Sequence, residues 1–288
     1  MSTDGDEHPE NLDSPAYPST DNIWYLSGNT CPYEAVQFNI WGLDGSVARL
    51  LGQDAALKLL RKAGYIHRDI SPGNCLIYGS KGKLSDLEFC KPFSEPGSHD
   101  SFSGTTEFAA AEVIEQRLLF ESIQDVPRSF HPHPLHDLEA LNWLSWWFIY
   151  SRTMAESSSS LNKEVFQFWK SDLYDPLFNP GYDGHSIRLE ILEAGVPSRT
   201  LRRILANLAK CGWTPKLDVI QPVLEFTRSL LIEHEAIYQQ PQETNSDGIA
   251  RWPLKVFREK PYDEYEKILS KAARSLKEVK LVSMWKFK

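Results

Sequence analysis

The chain of 288 residues lacks several features that would assign it to a familiar class of protein. It has no run of about eighteen apolar residues, which argues against a membrane-spanning helix, and no signal peptide at its N-terminus. The four cysteines, Cys31, Cys75, Cys90 and Cys211, show no paired metal-binding spacing. The sequence therefore predicts a soluble intracellular protein, cytoplasmic or nuclear, with reduced thiols and no membrane partner.

Basic residues are fewer than acidic ones, 31 against 39, and they are unevenly distributed. The net charge is −8, which argues against nucleic acid as a main partner. Residues 1–48 contain no Lys or Arg at all. Residues 1–22 are acidic and rich in proline, which predicts a disordered acidic tail. Residues 23–45 form a short segment rich in aromatic residues (Trp24, Tyr25, Tyr33, Phe38 and Trp41).

The most informative segment is residues 67–77, which read His-Arg-Asp-Ile-Ser-Pro-Gly-Asn-Cys-Leu-Ile. A His-Arg-Asp run with an Asn five residues after the Asp is the pattern of a protein-kinase catalytic loop. In that loop the Asp, here Asp69, accepts the proton of an attacking hydroxyl group. The Asn, here Asn74, reaches a magnesium ion on the nucleotide phosphates.

A second metal-binding carboxylate is expected downstream, and Asp86 lies twelve residues after Asn74. Residues 75–78 predict a strand, 79–82 a turn, and 83–86 a returning strand that brings Asp86 back beside Asn74. Asp86 could instead be an ordinary surface acid. Asp86-Leu87-Glu88 occupies the place of the usual Asp-Phe-Gly, and Glu88 is either a third metal ligand or a solvated side chain.

Two further segments fit the same pattern. Residues 104–114 stand where an activation segment ends, and Ala110-Ala111-Glu112 occupies the position of its Ala-Pro-Glu motif. Residues 138–150 are apolar nearly all the way round, which predicts a helix buried on every side. Asp137 suits the N-cap position of that helix.

These segments resemble the fungal-type protein kinase family, which is marked by His-Arg-Asp-Ile-Ser with a following Gly-Asn, by Asp-x-acid, and by His-Asp-Leu-Glu. The resemblance implies a mainly α fold, the C-terminal lobe (C-lobe) of a protein kinase with a small β-hairpin carrying the metal site, over residues 46–240. It implies ATP and Mg²⁺ as cofactors, Asp69 as catalytic base, and Asn74 and Asp86 as Mg²⁺ ligands. Structural roles fall to His67, Arg68, Glu112 and Asp137. Arg68 would pair with a phosphorylated activation segment, Asp137 would hold the catalytic-loop backbone, and Glu112 would form an ion pair. Arg202 or Arg203 could supply the partner of Glu112, but an ordinary surface charge is the preferred interpretation of both.

A kinase N-terminal lobe also needs a Gly-rich loop and a strand Lys that grip the phosphates. No Gly-rich loop precedes residue 67, and the first Lys, Lys58, falls within a helix predicted over Ser46 to Gly64. The N-terminal lobe is therefore predicted to be absent or rudimentary, with residues 23–45 as its remnant or as a cap. We expect this chain to bind ATP weakly and to transfer phosphate poorly.

Two other segments allow more than one interpretation. His131, His133 and His136 suggest a metal site, but the intervening prolines predict an extended segment that spreads the imidazoles, and no cysteine pair lies nearby. Residues 241–288 predict a basic helical extension that contacts the acidic N-terminus, an anionic partner or only water, of which a solvated helix is the simplest. Further helices are predicted over residues 161–174, 197–210 and 222–238.

Three functions remain open. The first is transfer of phosphate from ATP to Ser or Thr of a protein substrate. The second is a pseudokinase, an interaction module that keeps the lobe without the chemistry. The third is a small-molecule phosphotransferase of the aminoglycoside or choline kinase type, against which residues 104–114 argue, because protein kinases use that segment to seat a peptide.

Overall fold

The computed structural model describes residues 43–78, 81–93, 104–120, 130–179, 184–194, 199–244 and 250–288. The predicted acidic tail and most of the predicted aromatic segment lie outside these residues. The described part is mainly helical, as the sequence predicted. Its α-helices are α1 (Leu43–Ala63), α2 (Ala111–Glu115), α3 (Pro134–Tyr150), α4 (Lys163–Trp169), α5 (Asp175–Phe178), α6 (Gly184–Ala194), α7 (Arg199–Leu208), α8 (Leu217–Tyr238) and α9 (Lys260–Leu276).

The described strands form short antiparallel pairs rather than one continuous sheet. Two of the pairs surround the predicted catalytic loop, and a third joins the end of α3 to the C-terminal residues. The pairs are β1 (Tyr65–Ile66) with β4 (Lys91–Pro92), β2 (Cys75–Tyr78) with β3 (Lys81–Leu84), β5 (Arg152–Met154) with β8 (Leu281–Ser283), and β6 (Glu243–Thr244) with β7 (Ala250–Arg251).

Helix α3 is the centre of the core, because all of its residues are buried. The helix begins at Pro134, four residues before its predicted start, because a proline at the first helical position sacrifices no hydrogen bond and brings a suitable φ. His133 occupies the N-cap position, so the prediction that Asp137 caps the helix is wrong. Asp137 lies one turn inside, where its side chain makes tertiary contacts.

Helix α1 confirms the helix predicted from residue 46, with a start at Leu43 and an end at Ala63. Gly64 follows with φ of 80° and donates its N–H to Arg61 O at 3.0 Å, which closes the last turn. Gly52, in the middle of α1, lies directly against the backbone of the hairpin. A Cβ atom there would approach Gly82 O to 2.2 Å, so a side chain would force the two elements apart.

The C-terminal residues pack into the same core, so the expectation of a solvated helix is wrong. Tyr262, Tyr265 and Leu269 on α9 are buried, and Ser145 Oγ on α3 is hydrogen-bonded to Tyr265 Oη at 2.5 Å. Strand β8 pairs with β5, and Trp285 lies against the Trp169 ring at 5.1 Å between ring centroids. The basic residues are carried on the outer face of an amphipathic helix whose other face is buried.

The helices of the second half occur close to their predicted positions, and their ends differ. Helix α8 begins at Leu217 rather than at Pro222, which lies inside the helix. Val219 and Ile220 are buried, so packing extends the helix upstream of a proline that the sequence pattern took for its start. Among the described residues, no helix has both the length and the apolar character needed to cross a bilayer.

Candidate active site around Asp69

The predicted catalytic loop, residues 67–74, is held by strand pairs at both of its ends. Strand β1 precedes the loop and pairs with β4, while β2 begins at Cys75, immediately after Asn74. The Ser85 N–H donates to Asn74 O at 3.0 Å, and His67 Nε2 is hydrogen-bonded to Ser85 O at 2.8 Å. The loop and the residue before Asp86 are therefore fixed to each other.

Asp137 holds the backbone of the loop from the core side. Its carboxylate accepts the N–H of His67 at 2.6 Å and the N–H of Arg68 at 2.9 Å. Burial raises the pKa of Asp137, and these two hydrogen bonds oppose the rise. Arg68 takes a φ of 76°, which residues other than glycine rarely adopt, and the Asp137 carboxylate stabilises this backbone conformation.

The Asp69 carboxylate is anchored through both of its oxygens. Asn74 Nδ2 donates to Asp69 O at 2.9 Å and to Asp69 Oδ2 at 3.1 Å. Thr105 donates both its N–H and its hydroxyl to Asp69 Oδ1, each at 3.0 Å. Asp69 stays partly exposed, so the carboxylate is oriented by protein groups and remains open to a ligand.

The role of Thr105 was not predicted, although the residue lies in the segment predicted to seat a peptide. The sequence offered one signal, a hydroxyl residue directly after Gly104 at the end of a Ser- and Gly-rich stretch. That signal does not name the partner, because Thr105 and Asp69 are 36 residues apart.

Asn74 and Asp86 lie near each other, because the Ser85 N–H donates to Asn74 O at 3.0 Å. Because Asn74 Nδ2 faces Asp69, the Asn74 Oδ1 atom is the one available to a ligand. The predicted hairpin is confirmed, but its second strand is Lys81–Leu84, two residues earlier than predicted. Asp86 therefore follows the strand with a φ of 58° and is exposed, as is Glu88. Amide and carboxylate oxygens are the ligands that Mg²⁺ prefers, so this pair fits the ion that the sequence implied.

The end of the activation segment is fastened by Arg188 on α6, which sequence reasoning missed. Its guanidinium group is buried and donates to Ala109 O at 2.9 Å and to Thr106 O at 3.3 Å, and also to Glu107 O. Burial lowers the pKa of Arg188 to about 10. A single cation thus fixes the backbone of residues 106–109, directly beside the Thr105 that contacts Asp69.

Glu112 lies in a buried cluster, and the candidate partners Arg202 and Arg203 are exposed. His136 Nε2 is hydrogen-bonded to Glu112 Oε2 at 2.8 Å, and Tyr238 donates its hydroxyl to the same carboxylate. Burial alone would raise the pKa of Glu112, but the hydrogen bond from His136 and the nearby His234 outweigh it and lower the pKa. The preferred interpretation of Arg202 and Arg203 as surface charges is therefore confirmed, and imidazole and phenol groups surround the Glu112 carboxylate instead.

The comparison with known families bears directly on this site. Residues 54–149 match the family model of fungal protein kinase. The resemblance inferred from the sequence is thereby confirmed over one third of the chain. No curated protein matches the chain.

The fungal protein kinase match contains every site residue that the sequence predicted. It extends from the middle of α1 through the catalytic loop, the hairpin and the end of the activation segment to the end of α3. Arg188, His234 and Tyr238, which contact this region from α6 and α8, lie outside the match. Their positions are known from the tertiary structure alone.

Proposed function

We propose that this chain carries the catalytic lobe of a protein kinase, which transfers the γ-phosphoryl group of ATP to a Ser or Thr hydroxyl of a protein. The observation that carries the proposal is the fixed Asp69 carboxylate. It is held by Asn74 within the loop and by Thr105 from the activation segment, inside the region that matches fungal protein kinase.

Asp69 is suited to act as the general base. Its carboxylate is oriented before substrate binds and can accept the proton of an incoming hydroxyl group at Oδ1 or Oδ2. Asn74 and Asp86 would hold Mg²⁺, and the ion would neutralise charge on the ATP phosphates. Ser71, in place of the lysine common at this position, is buried and contributes no positive charge to the transferring phosphate.

The contact between Asp69 and Thr105 favours a protein over a small molecule as the phosphate acceptor. Residues 104–109 are bound at one end to Asp69 and at the other to Arg188, so the segment is a fixed wall of the site. In protein kinases the corresponding segment seats the substrate peptide. Binding of an amino alcohol would not require a rigid segment of this kind.

The test is phosphate transfer by the purified chain, with γ-labelled ATP, Mg²⁺ and casein, choline or an aminoglycoside as acceptor. ATP should be supplied at millimolar concentration, because we expect weak binding from a sequence with no lysine before Lys58. Transfer to Ser or Thr of casein should fall at least about 100-fold in Asp69→Asn, the usual size of a general-base effect. Asp172→Asn, a change of an exposed surface acid, is the matched control and should leave the rate unchanged.

The other functions give different results in the same assay. Transfer to choline or the aminoglycoside with none to casein would identify a small-molecule phosphotransferase. If no acceptor is phosphorylated and equilibrium dialysis detects no ATP binding, the chain is a pseudokinase and the proposal is contradicted. Rapid turnover at micromolar ATP, abolished in Asp69→Asn, would support the kinase and contradict the expected weak binding.

A further inference from the structure

A second site lies in the core, apart from Asp69, and consists of Glu112, His133, His136 and His234, here called the imidazole cluster. All four side chains are buried, and one possible ligand atom from each lies within 4.8 Å of the others. They come from α2, from the N-terminal end of α3, and from α8. The proline-rich segment does not spread its imidazoles as expected, because Pro134 starts a helix and the rings of His133 and His136 stack at 3.6 Å.

Hydrogen bonds fix the proton of His136. The His133 backbone N–H donates to His136 Nδ1 at 3.0 Å, so that nitrogen carries no proton. The proton of the neutral ring is therefore on Nε2, which donates to Glu112 Oε2 at 2.8 Å. His136 is thus fully used as a hydrogen-bonding side chain and orients the Glu112 carboxylate.

The other two imidazoles are not satisfied in this way. Within the part of the chain that the structure describes, His133 Nε2 and both ring nitrogens of His234 make no hydrogen bond. Both side chains are at least 98% buried, so bulk solvent does not reach these nitrogens. Buried polar atoms nearly always have a partner, so nitrogens without one call for an explanation.

The unsatisfied nitrogens surround one carboxylate oxygen at a spacing that suits a metal ion. His133 Nε2 lies 3.7 Å and His234 Nδ1 lies 3.9 Å from Glu112 Oε2, both beyond hydrogen-bonding distance. Bonds of 2.0–2.1 Å in a tetrahedral site place neighbouring ligand atoms about 3.3 Å apart. The two nitrogens would each have to approach Glu112 Oε2 by roughly half an ångström to reach that spacing.

The outer contacts of the cluster also suit a metal centre. His234 Nε2 lies 3.6 Å from Glu139 Oε2, which is itself buried without a hydrogen bond among the described residues. A histidine bound to metal usually donates its second N–H to a carboxylate. Glu139 is positioned for this, since its other oxygen accepts the Ala111 N–H at 2.9 Å and the Trp143 indole N–H at 3.0 Å.

We propose that Glu112 Oε2, His133 Nε2 and His234 Nδ1 bind a zinc-class divalent metal ion, with His136 and Glu139 orienting the ligands. Imidazole nitrogens favour such an ion over Mg²⁺ or Ca²⁺, which take oxygen ligands. The ion also balances two buried carboxylates, Glu112 and Glu139. It joins α2, at the end of the activation segment, to α3 and α8, so the site is structural and separate from the Mg²⁺ position at Asn74 and Asp86.

The test begins with the wild-type full chain, purified with a tag that contains no histidine. Elemental analysis should find about one zinc per chain. After removal of metal by a chelator, added Zn²⁺ should raise the melting temperature, and added Co²⁺ should give visible absorption that Co²⁺ in buffer lacks. A zinc content below about 0.1 per chain, with no response to added Zn²⁺, would overturn the proposal without the use of any variant.

Variants then assign the ligands. His133→Gln and His234→Gln should each lower zinc affinity by more than about 100-fold, measured by competition with a chelating dye. His136→Gln, which keeps an N–H donor, should lower it by no more than the 10–100-fold typical of an orienting residue.

His131→Gln is the matched control, because His131 belongs to the same His-Pro-His sequence but not to the cluster. Asp86→Asn is a second control, for zinc bound at the cleft. Equal losses in His131→Gln and His234→Gln, or loss of the zinc in Asp86→Asn, would contradict the assignment. If a cluster variant fails to fold, the content and the Co²⁺ spectrum of the wild-type chain decide the question.

Discussion

Asp69 belongs to the predicted catalytic loop and Asp137 supports that loop, and the surroundings of the two carboxylates differ. Asp137 is buried, and each of its oxygens accepts a backbone N–H of residues 67–68. Asp69 is partly exposed, and its carboxylate accepts hydrogen bonds from the side chain of Asn74 and from the N–H and the hydroxyl of Thr105. The comparison shows how a site combines a rigid support with an accessible reactive group.

The largest effect is expected from removal of the buried carboxylate. Asp137→Ala leaves the N–H groups of His67 and Arg68 without an acceptor in the core, which should cost about 2–5 kcal/mol in the free energy of unfolding. Asp137→Asn keeps one acceptor and should cost less than half of that. Urea denaturation measures both, and equal stability of Asp137→Ala and wild type would show that the loop does not depend on this support.

Arg188 gives the second largest effect, since it supports the segment that contacts Asp69. Arg188→Met keeps the apolar length of the side chain but removes the donors to Thr106, Glu107 and Ala109, which should cost about 2 kcal/mol. Arg202→Met, a change of an exposed arginine, should stay within about 0.5 kcal/mol of wild type. The same denaturation experiment compares them, and similar losses in both variants would contradict the assigned role.

Asp54 extends the comparison of Asp69 with Asp137 to a third carboxylate. It is buried like Asp137, but it has no hydrogen bond among the described residues. Burial, followed by the charge of Glu266, raises its pKa from 3.8 to about 8, while Lys58 opposes the rise and Asp263 adds to it. The folded protein then keeps a proton that the unfolded chain releases. The stability due to this proton is complete below about pH 4 and is lost as the pH rises to about 8.

The variant Asp54→Asn should remove that pH dependence. Between pH 4 and 8 the wild type should lose up to about 1.4 kcal/mol of unfolding free energy per pH unit relative to the variant. Thermal or urea unfolding at a series of pH values measures the difference. Parallel curves for the two proteins would show that Asp54 has no raised pKa in the folded state.

The smallest effect on stability is expected at Thr105, on the accessible side of the comparison. Thr105→Val keeps the shape and the backbone N–H and removes one hydrogen bond to Asp69, so it should cost no more than about 1 kcal/mol. The rate of phosphate transfer should fall more than the stability does. Thr106→Val is the control and should retain the rate, because Thr106 is exposed and its hydroxyl donates to Glu107 rather than to Asp69.

Local patterns were sufficient to predict much of the fold and of the site. The catalytic-loop spacing placed Asp69 and Asn74, the apolar run placed α3, and the turn after residue 78 placed the hairpin. These features depend on residues close together in the chain, where spacing and turn chemistry decide the structure. Even there, the helix start at Pro134 and the position of Asp86 outside β3 were set by packing and backbone turns.

The sequence by itself determined the residues of the candidate site, and the tertiary structure decided which groups support them. His234 and Tyr238 are four residues apart and share a face of α8, but nothing in that spacing indicates that the face meets Glu112. Arg188, Thr105 and the residues of α9 likewise contact partners at distances in sequence that no local pattern encodes. Burial of polar groups is costly, so the folded chain must pair them wherever its elements meet, and those meetings exist only in three dimensions.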